Sequence, residues 1–380
     1  MFRSFYLAGF ECATGYNMHG EWIDQIAATE HDRHVDADYA RLAEVDLHAV
    51  REAVRWPLVD RGGGVYDFSS VEPFVRAAVR HGFDVIWDLF HYGYPDGVDV
   101  FSSAFVERFA AYCREAASYI CERSPGPHYF TPINEPSYYS WAAGHAARFA
   151  PHQRDRGLEL KVNLARACLR AIDAIREVSP RARIVNVDPI CHVVPRTNTR
   201  AELDAVRDFN EIAVPQFWDL VSGRARPELG GRPDALDIVG INYYWTNQWE
   251  LGSEGTPLAD DDPRRLPLGD LVRRTWERYH TDIVITETSE RPEARGPWVH
   301  ELSAMAEDLI ESGVKLGGIC LYPILGMPEW HAREQWARMG LWDLEREQDR
   351  LERKIVEPML EALRVAQHRA RCRVTAATNG

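Results

Sequence analysis

Lysine is nearly missing from this 380-residue chain, with only Lys161, Lys315 and Lys354 among 44 basic residues. That bias reads as a mark of coding composition rather than of chemistry. Positive charge is scarce overall: 58 acids face those 44 bases, for a net charge of −14. A field of that sign repels phosphate backbones and anionic lipid, which excludes nucleic acid as the expected partner. Cysteine is sparse and odd in number, at seven, with no pair at metal-ligand spacing. A disulfide framework is therefore not expected, and reduced buried thiols are. No stretch approaches the roughly 18 apolar residues of a membrane span. Met1 to Phe10 lacks a long apolar region and a small-residue cleavage site, so no signal peptide is expected and the expected location is cytoplasmic. Nor is there a glycine-rich phosphate loop after the first strand, where Gly9-Phe10-Glu11-Cys12 stands. Hydrophobic residues at 45% and charged residues at 27% are ordinary for a globular protein.

What the chain does contain is alternation. Short β-branched or aromatic runs recur at Phe5–Cys12, Ala49–Arg55, Asp84–Phe90, Tyr129–Ile133, Arg183–Asp188, Leu236–Tyr243, Asp282–Thr286 and Leu316–Tyr322. Helix-period stretches separate them: Ala37–Val45, Val71–His81, Ala104–Glu122, Leu158–Val178, part of Glu202–Phe217, Gly269–Tyr279, Val299–Ser312 and Leu351–Ala370. Ser69-Ser70 and Ser102-Ser103 stand where helix caps belong. Strand and helix in strict alternation imply parallel strands with crossover helices, and eight such units predict an α/β fold of one closed (β/α)₈ TIM barrel. No linker divides the chain, so residues 1–367 are expected to form the barrel. The polar tail from about His368 to Gly380 is expected to be disordered. Long aperiodic stretches, Tyr138–Arg156 and Trp245–Arg265, follow strands, where a barrel keeps its active site.

Two glutamates end strands on opposite sides of the expected barrel. Glu135 closes Thr131-Pro132-Ile133-Asn134-Glu135-Pro136, and Glu287 closes Ile283-Val284-Ile285-Thr286-Glu287. A charge after a run of strand residues is costly to bury unless it faces a functional mouth. Two carboxyls across one pit suit glycoside hydrolysis, one protonating the leaving oxygen while the other attacks or orients water; a spacing of about 5–5.5 Å would mean retention. The bland alternative for Asn-Glu-Pro is ordinary helix capping.

The chain also resembles glycoside hydrolase family 1, the β-glucosidase family of retaining (β/α)₈ enzymes. Asn134-Glu135-Pro136 is similar to the acid/base signature and Ile285-Thr286-Glu287 to the nucleophile signature. Further similarities run in the family's order: Arg51 to Pro57, Asp88 to Pro95, Gly240-Ile241-Asn242-Tyr243-Tyr244, Glu329-Trp330 and Met339-Gly340-Leu341. The resemblance implies Glu135 as acid/base and Glu287 as nucleophile, with Arg51 and Tyr244 holding the nucleophile ionised. It implies His91 and Asn134 on the sugar's hydroxyls, with Glu329 and Trp330 on its far hydroxyls and face. Asn17 is expected in place of the family's first-strand glutamine. A carboxylate at Glu329 disfavours a 6-phosphosugar, so the implied substrate is a β-linked glycoside of an unphosphorylated hexose. No metal or organic cofactor is implied.

Departures from the family are plain. Thr288-Ser289 follows the nucleophile where the family has Asn-Gly, Tyr322 replaces a tryptophan, and Tyr92 replaces another after His91. Two alternatives stay open: a transglycosylase on the same two glutamates, and a carbohydrate-binding barrel without turnover. His31, Asp32 and His34 suggest a metal cluster, but no third ligand at suitable spacing supports it, and a solvated helix start is expected instead. Glu11 is a weaker candidate for the pit. Glycone, aglycone and oligomeric state are not legible.

Overall fold

The computed structural model describes residues 1–253 and 255–378, with side chains through Cys372. Eight parallel strands close into a barrel: β1 (Tyr6–Gly9), β2 (Ala49–Ala53), β3 (Asp84–Asp88), β4 (Tyr129–Thr131), β5 (Arg183–Pro189), β6 (Ile238–Tyr244), β7 (Asp282–Ser289) and β8 (Leu316–Leu321). Each pairs with its neighbours in chain order, and β1 closes the ring between β8 and β2. The architecture is the expected (β/α)₈ barrel.

Residues facing inward recur with the strand period of two. Leu7, Ala49, Ile86, Tyr129, Val185, Val187, Ile238, Val284 and Cys320 fill the interior as one apolar cluster. A larger cluster lies between the strands and the helices around them. Those helices are α1 (His31–Glu44), α2 (Glu72–His81), α3 (Ser103–Arg123), α4 (Gly157–Val178), α5 (Gln216–Val221), α6 (Leu268–Tyr279), α7 (Arg295–Glu311) and α8 (Glu357–Thr378). Ser102 caps α3 by accepting the Phe105 N–H, whereas α2 starts at Val71 without a side-chain cap from Ser69 or Ser70.

Several boundaries differ from expectation. α1 begins at His31, because His31 is a fully buried member of the helix and not a solvated residue at its start. Its ring stacks on Phe10 at 3.5 Å and joins Asp38 at 2.8 Å and Glu52 at 3.0 Å. Tyr138–Arg156 is not aperiodic throughout: Pro136–Gly144 is a helix buried on nearly every side, so no polar face marks its period. The stretch Leu351–Ala370 opens as a hairpin strand, Arg350–Ile355, paired with Trp342–Glu347. Arg353 hides that alternation, since it turns inward onto Asp38 at 2.9 Å. The Glu202–Phe217 stretch splits into Arg200–Asp208 and a π-helical turn, Phe209–Ala213. At the C-terminus α8 carries on past His368 to Thr378, anchored by Gln367 donating to the Val45 and Asp46 carbonyls; residues 379 and 380 lie outside the described residues. Among the described residues no helix is long and apolar enough to cross a membrane.

Candidate active site

The C-terminal ends of the strands converge on a polar pit over the apolar interior. Along β6 the inward positions are Ile238, Gly240, Asn242 and Tyr244, so one strand begins in the core and ends in the pit. By the same period β2 delivers Arg51 after Ala49, and β3 delivers Asp88 after Ile86. Along β7 the period fails. Val284 faces inward opposite Gly240, so Thr286 and Thr288 would follow it. A β-bulge instead shifts the register, and Glu287 aligns with Asn242. Bulges beside active sites re-aim a side chain in this way. Thr286 is retained as a support, donating to Asn242 Oδ1 at 2.7 Å.

Glu287 then meets two donors. Arg51 Nη1 reaches Oε1 at 2.5 Å and the Tyr244 hydroxyl reaches Oε2 at 2.9 Å. Arg51 is fully buried, and its other terminal nitrogen donates to Asp88 Oδ2 at 2.6 Å and Asn134 Oδ1 at 2.7 Å. Tyr322 lies under the guanidinium, 5.3 Å from its ring centroid, and its hydroxyl accepts the Cys12 N–H at 3.0 Å. Glycine is required at Gly9 to admit that ring, since a Cβ there would stand 2.1 Å from Tyr322.

Glu135 has a left-handed backbone, φ 46°, at the start of the Pro136–Gly144 helix. Its N–H donates to Val187 O at 3.1 Å, and the next turn is tied down by Asp188, which accepts the Ser137 N–H at 2.9 Å. Asn242 Nδ2 and the Tyr92 hydroxyl each donate to one of its carboxyl oxygens, both at 2.9 Å. Burial, reinforced by the charge of Glu287, pushes the Glu135 carboxyl up to about 8 despite those two bonds. Burial likewise raises Asp188, to about 7.

Asn134 is the hub between the two glutamates. Its carbonyl accepts from Arg51 and, at 3.3 Å, from Asn242. That fixes the amide nitrogen toward His91 Nε2 at 3.1 Å and the Tyr92 oxygen at 3.4 Å. His91 Nδ1 faces Asp88 Oδ2 at 3.0 Å, an arrangement that suits the Nδ1–H tautomer. Burial opposes protonation of His91, but Asp88 and Glu11 outweigh it and raise its pKa.

The nine residues expected from sequence do not all converge. Glu135, Glu287, Arg51, Tyr244, Asn134 and His91 form one network. Trp330 walls the pit, packed against Tyr92 at 5.8 Å, Phe149 at 5.6 Å and Tyr138 at 6.2 Å. Glu329 is exposed at the rim, its carboxyl raised by partial desolvation. Asn17 stands apart: its Nδ2 donates to Glu21 and to the Trp330 carbonyl, while its Oδ1 accepts from His19 and Glu21 N–H groups. Both hydrogens and both lone pairs of that amide are thus engaged in holding loops. Sequence reasoning passed over Asp88 and Tyr92 as functional groups, and favoured a function for Asn242 without assigning it a role. Asp88 carried the signal used for the glutamates, a carboxylate ending an apolar strand. Tyr92 carried none.

Cys12, Asp88 and His91 are the one metal-type group that comes together among the described residues, within 4.8 Å. Asp88 Oδ2 meets both Arg51 and His91 while its Oδ1 has no hydrogen-bond partner among the described residues, and the Cys12 thiol donates to the Phe10 carbonyl at 3.0 Å.

Fold and pit together define a (β/α)₈ barrel with two unlike carboxyls in one polar pit. No family model matches the chain. The family 1 β-glucosidase from Thermotoga maritima superposes with a TM-score of 0.79 at 16% identity, covering 96% of this chain and 98% of that one. The β-glucosidase from Thermotoga maritima in complex with glucoimidazole gives the same TM-score at 17% identity, over 97% and 98%. By sequence, the aryl-phospho-β-D-glucosidase BglC of Bacillus subtilis (strain 168) is 23% identical over 383 aligned positions, spanning 80% of this chain and 79% of that protein. The chain shares the fold of these β-glucosidases over nearly its whole length and is similar in sequence to BglC over 80% of it.

Proposed function

We propose that the protein is a retaining β-glycosidase acting on a β-linked glycoside of an unphosphorylated hexose, with Glu287 as nucleophile and Glu135 as acid/base. The observation that carries this reading is the unlike treatment of two carboxyls in one pit. Glu287 receives a guanidinium and a phenol, donors that complement a carboxylate. Glu135 has its pKa raised to about 8 by burial and by its neighbour, which keeps it a proton donor at neutral pH.

In the first step Glu287 attacks the anomeric carbon while Glu135 gives its proton to the departing oxygen. In the second, Glu135, now ionised, takes a proton from the water that releases the sugar. Loss of the proton leaves Glu135 anionic, and the Asn242 and Tyr92 donors support that form. Departure of Glu287 from the sugar restores the carboxylate to Arg51 and Tyr244. A transglycosylase differs only in the acceptor, and a binding barrel lacks the covalent step altogether.

One observation favours a second reading, a phosphorylated glycone of the kind in the BglC name. Arg148 and His19 act on His331 beside Trp330, and Arg148 lies over the Trp141 ring at 5.1 Å. Against it, Glu329 brings negative charge to the same rim, and the single arginine deep in the pit is spent on Asp88, Glu287 and Asn134.

The test is intact-mass analysis after incubation with activated 2-deoxy-2-fluoro-β-glycosides, neutral and 6-phosphorylated, with Glu287→Gln as control. One added sugar mass, mapped to Glu287 and absent in the control, is expected from the neutral series. Labelling by the 6-phosphorylated series alone reverses the substrate assignment. No label despite measurable binding overturns the catalytic reading in favour of the binding barrel.

A further inference from the structure

We propose that Glu11 is a substrate-recognition residue, accepting a hydrogen bond from a glycone hydroxyl remote from the leaving group and barring an anionic substituent there. The inference rests on the glycosidase reading and assigns to it a residue that the two-step chemistry does not use.

Glu11 continues the inward face of β1, two residues beyond Gly9 and four beyond Leu7. It is 6% exposed, yet no arginine or lysine pairs with it. Its one hydrogen bond among the described residues comes from the Ala13 N–H to Oε1, at 2.9 Å. The same oxygen lies 3.8 Å from His91 Nε2, too far for a hydrogen bond. A buried carboxyl with so few donors is costly unless a ligand supplies one. Its charge acts on His91, Cys12, Tyr322, Tyr244 and Tyr138. Glu11 stands beside His91, the residue expected on the sugar's hydroxyls, which places the carboxyl toward the sugar ring. Burial and the charge of Glu287 raise its pKa, while His91, the Ala13 N–H and Arg51 favour the charged carboxylate. Asn17, the residue that the family resemblance offers for a sugar contact, has no free donor or acceptor left.

Electrostatics sets the selectivity. An anionic group seated by Glu11 would face that carboxyl and Glu287, while both terminal nitrogens of Arg51 already donate to Glu287, Asp88 and Asn134. Like charges in a desolvated site disfavour the wrong ligand strongly.

The experiment compares the parent, Glu11→Gln and Glu11→Asp on the neutral aryl β-glycoside that the parent turns over fastest. It adds that glycoside's 3-deoxy and 4-deoxy analogues and its 6-phosphate. Glu11→Gln keeps an amide oxygen for the Ala13 N–H, so the local turn is preserved, and thermal melting checks this. In the parent, removing the recognised hydroxyl should lower kcat/KM about 10- to 100-fold, the range for a hydrogen bond to a charged group. In Glu11→Gln that same deletion should cost less than about threefold, and preference for the neutral glycoside over its 6-phosphate should fall at least about tenfold. Glu11→Asp withdraws the carboxyl by one methylene. It should lose the hydroxyl coupling and keep the bias against phosphate.

Additive losses in Glu11→Gln, with unchanged neutral-to-phosphate preference, overturn the inference and leave the glycosidase reading standing. So does a parent that prefers the 6-phosphate. A parent that turns over none of the glycosides overturns the glycosidase reading, and this inference falls with it.

Discussion

Removing one hydroxyl, in Tyr92→Phe, isolates a single contribution to the proton donor's acidity. The phenol donates to Glu135 Oε2 at 2.9 Å and thereby favours the ionised carboxyl. Its ring also stacks on Tyr139 at 5.4 Å and meets Trp330 edge-on at 5.8 Å, contacts that phenylalanine retains. A hydrogen bond to a charged group contributes about 1.5–3 kcal/mol, and each pKa unit corresponds to about 1.4 kcal/mol. The expected rise is about one unit, the low end, because the Asn242 donor remains. Glu135 then moves from about 8 toward about 9. Since the donor must be protonated in the free enzyme, the basic limb of kcat/KM should move to higher pH by the same amount. The assay is a kcat/KM profile from pH 5 to 10 on a glycoside whose leaving group needs protonation. A basic limb that stays put, or moves to lower pH, would refute the assignment of Tyr92 as a stabiliser of the Glu135 carboxylate.

Three further outcomes are expected. Glu287→Gln removes the charge that helps raise Glu135, so the Glu135 pKa should fall from about 8 by about 1 to 3 units, read by carbon NMR titration of labelled glutamate; no change would leave burial and the charge of Asp188 as its causes. His31 would be lowered by burial alone, but Glu52 and Asp38 outweigh that and raise it to about 9. With an unfolded value near 6.5, its contribution of about 3 kcal/mol is fully present below pH 6.5 and is lost as pH rises through 9. Urea unfolding between pH 6 and 9.5 should show that decline in the parent, and a His31→Gln variant should flatten it; equal slopes in both would remove His31 as the origin. Gly9→Ala sets a methyl 2.1 Å from the Tyr322 ring and should destabilise by about 1–3 kcal/mol. Denaturation is the measure, and an unperturbed variant would mean that the ring shifts without cost.

Legibility in the sequence followed the physics of each element. All eight barrel strands were readable because buried parallel strands are continuous β-branched and aromatic runs, as in Asp84-Val85-Ile86-Trp87. Helices were readable where one face is solvated, as in α2 and α6, and unreadable where burial removes the polar face, as in Pro136–Gly144. The hairpin strand Arg350–Ile355 was hidden by Arg353, a charge that lies inward only because Asp38 on α1 waits for it. His31 shows the same masking: polar in sequence, it is buried because Asp38 and Glu52 arrive from α1 and β2.

By itself the sequence determined the barrel and the two glutamates at strand ends, because periodicity and a charge after an apolar run are local signals. Tertiary structure decided what those glutamates are. The bulge in β7 turns Glu287 into the pit against its own strand's period, through pairing with β6 that no local pattern encodes. Closure of the ring brings Arg51, Asn134, Asn242 and Tyr92 from four strand ends into one network that treats the two carboxyls differently. The same closure leaves Glu11 in the pit without an arginine or lysine partner and engages Asn17 elsewhere. Such assignments depend on which groups meet across the barrel, and distance along the chain carries no information about that.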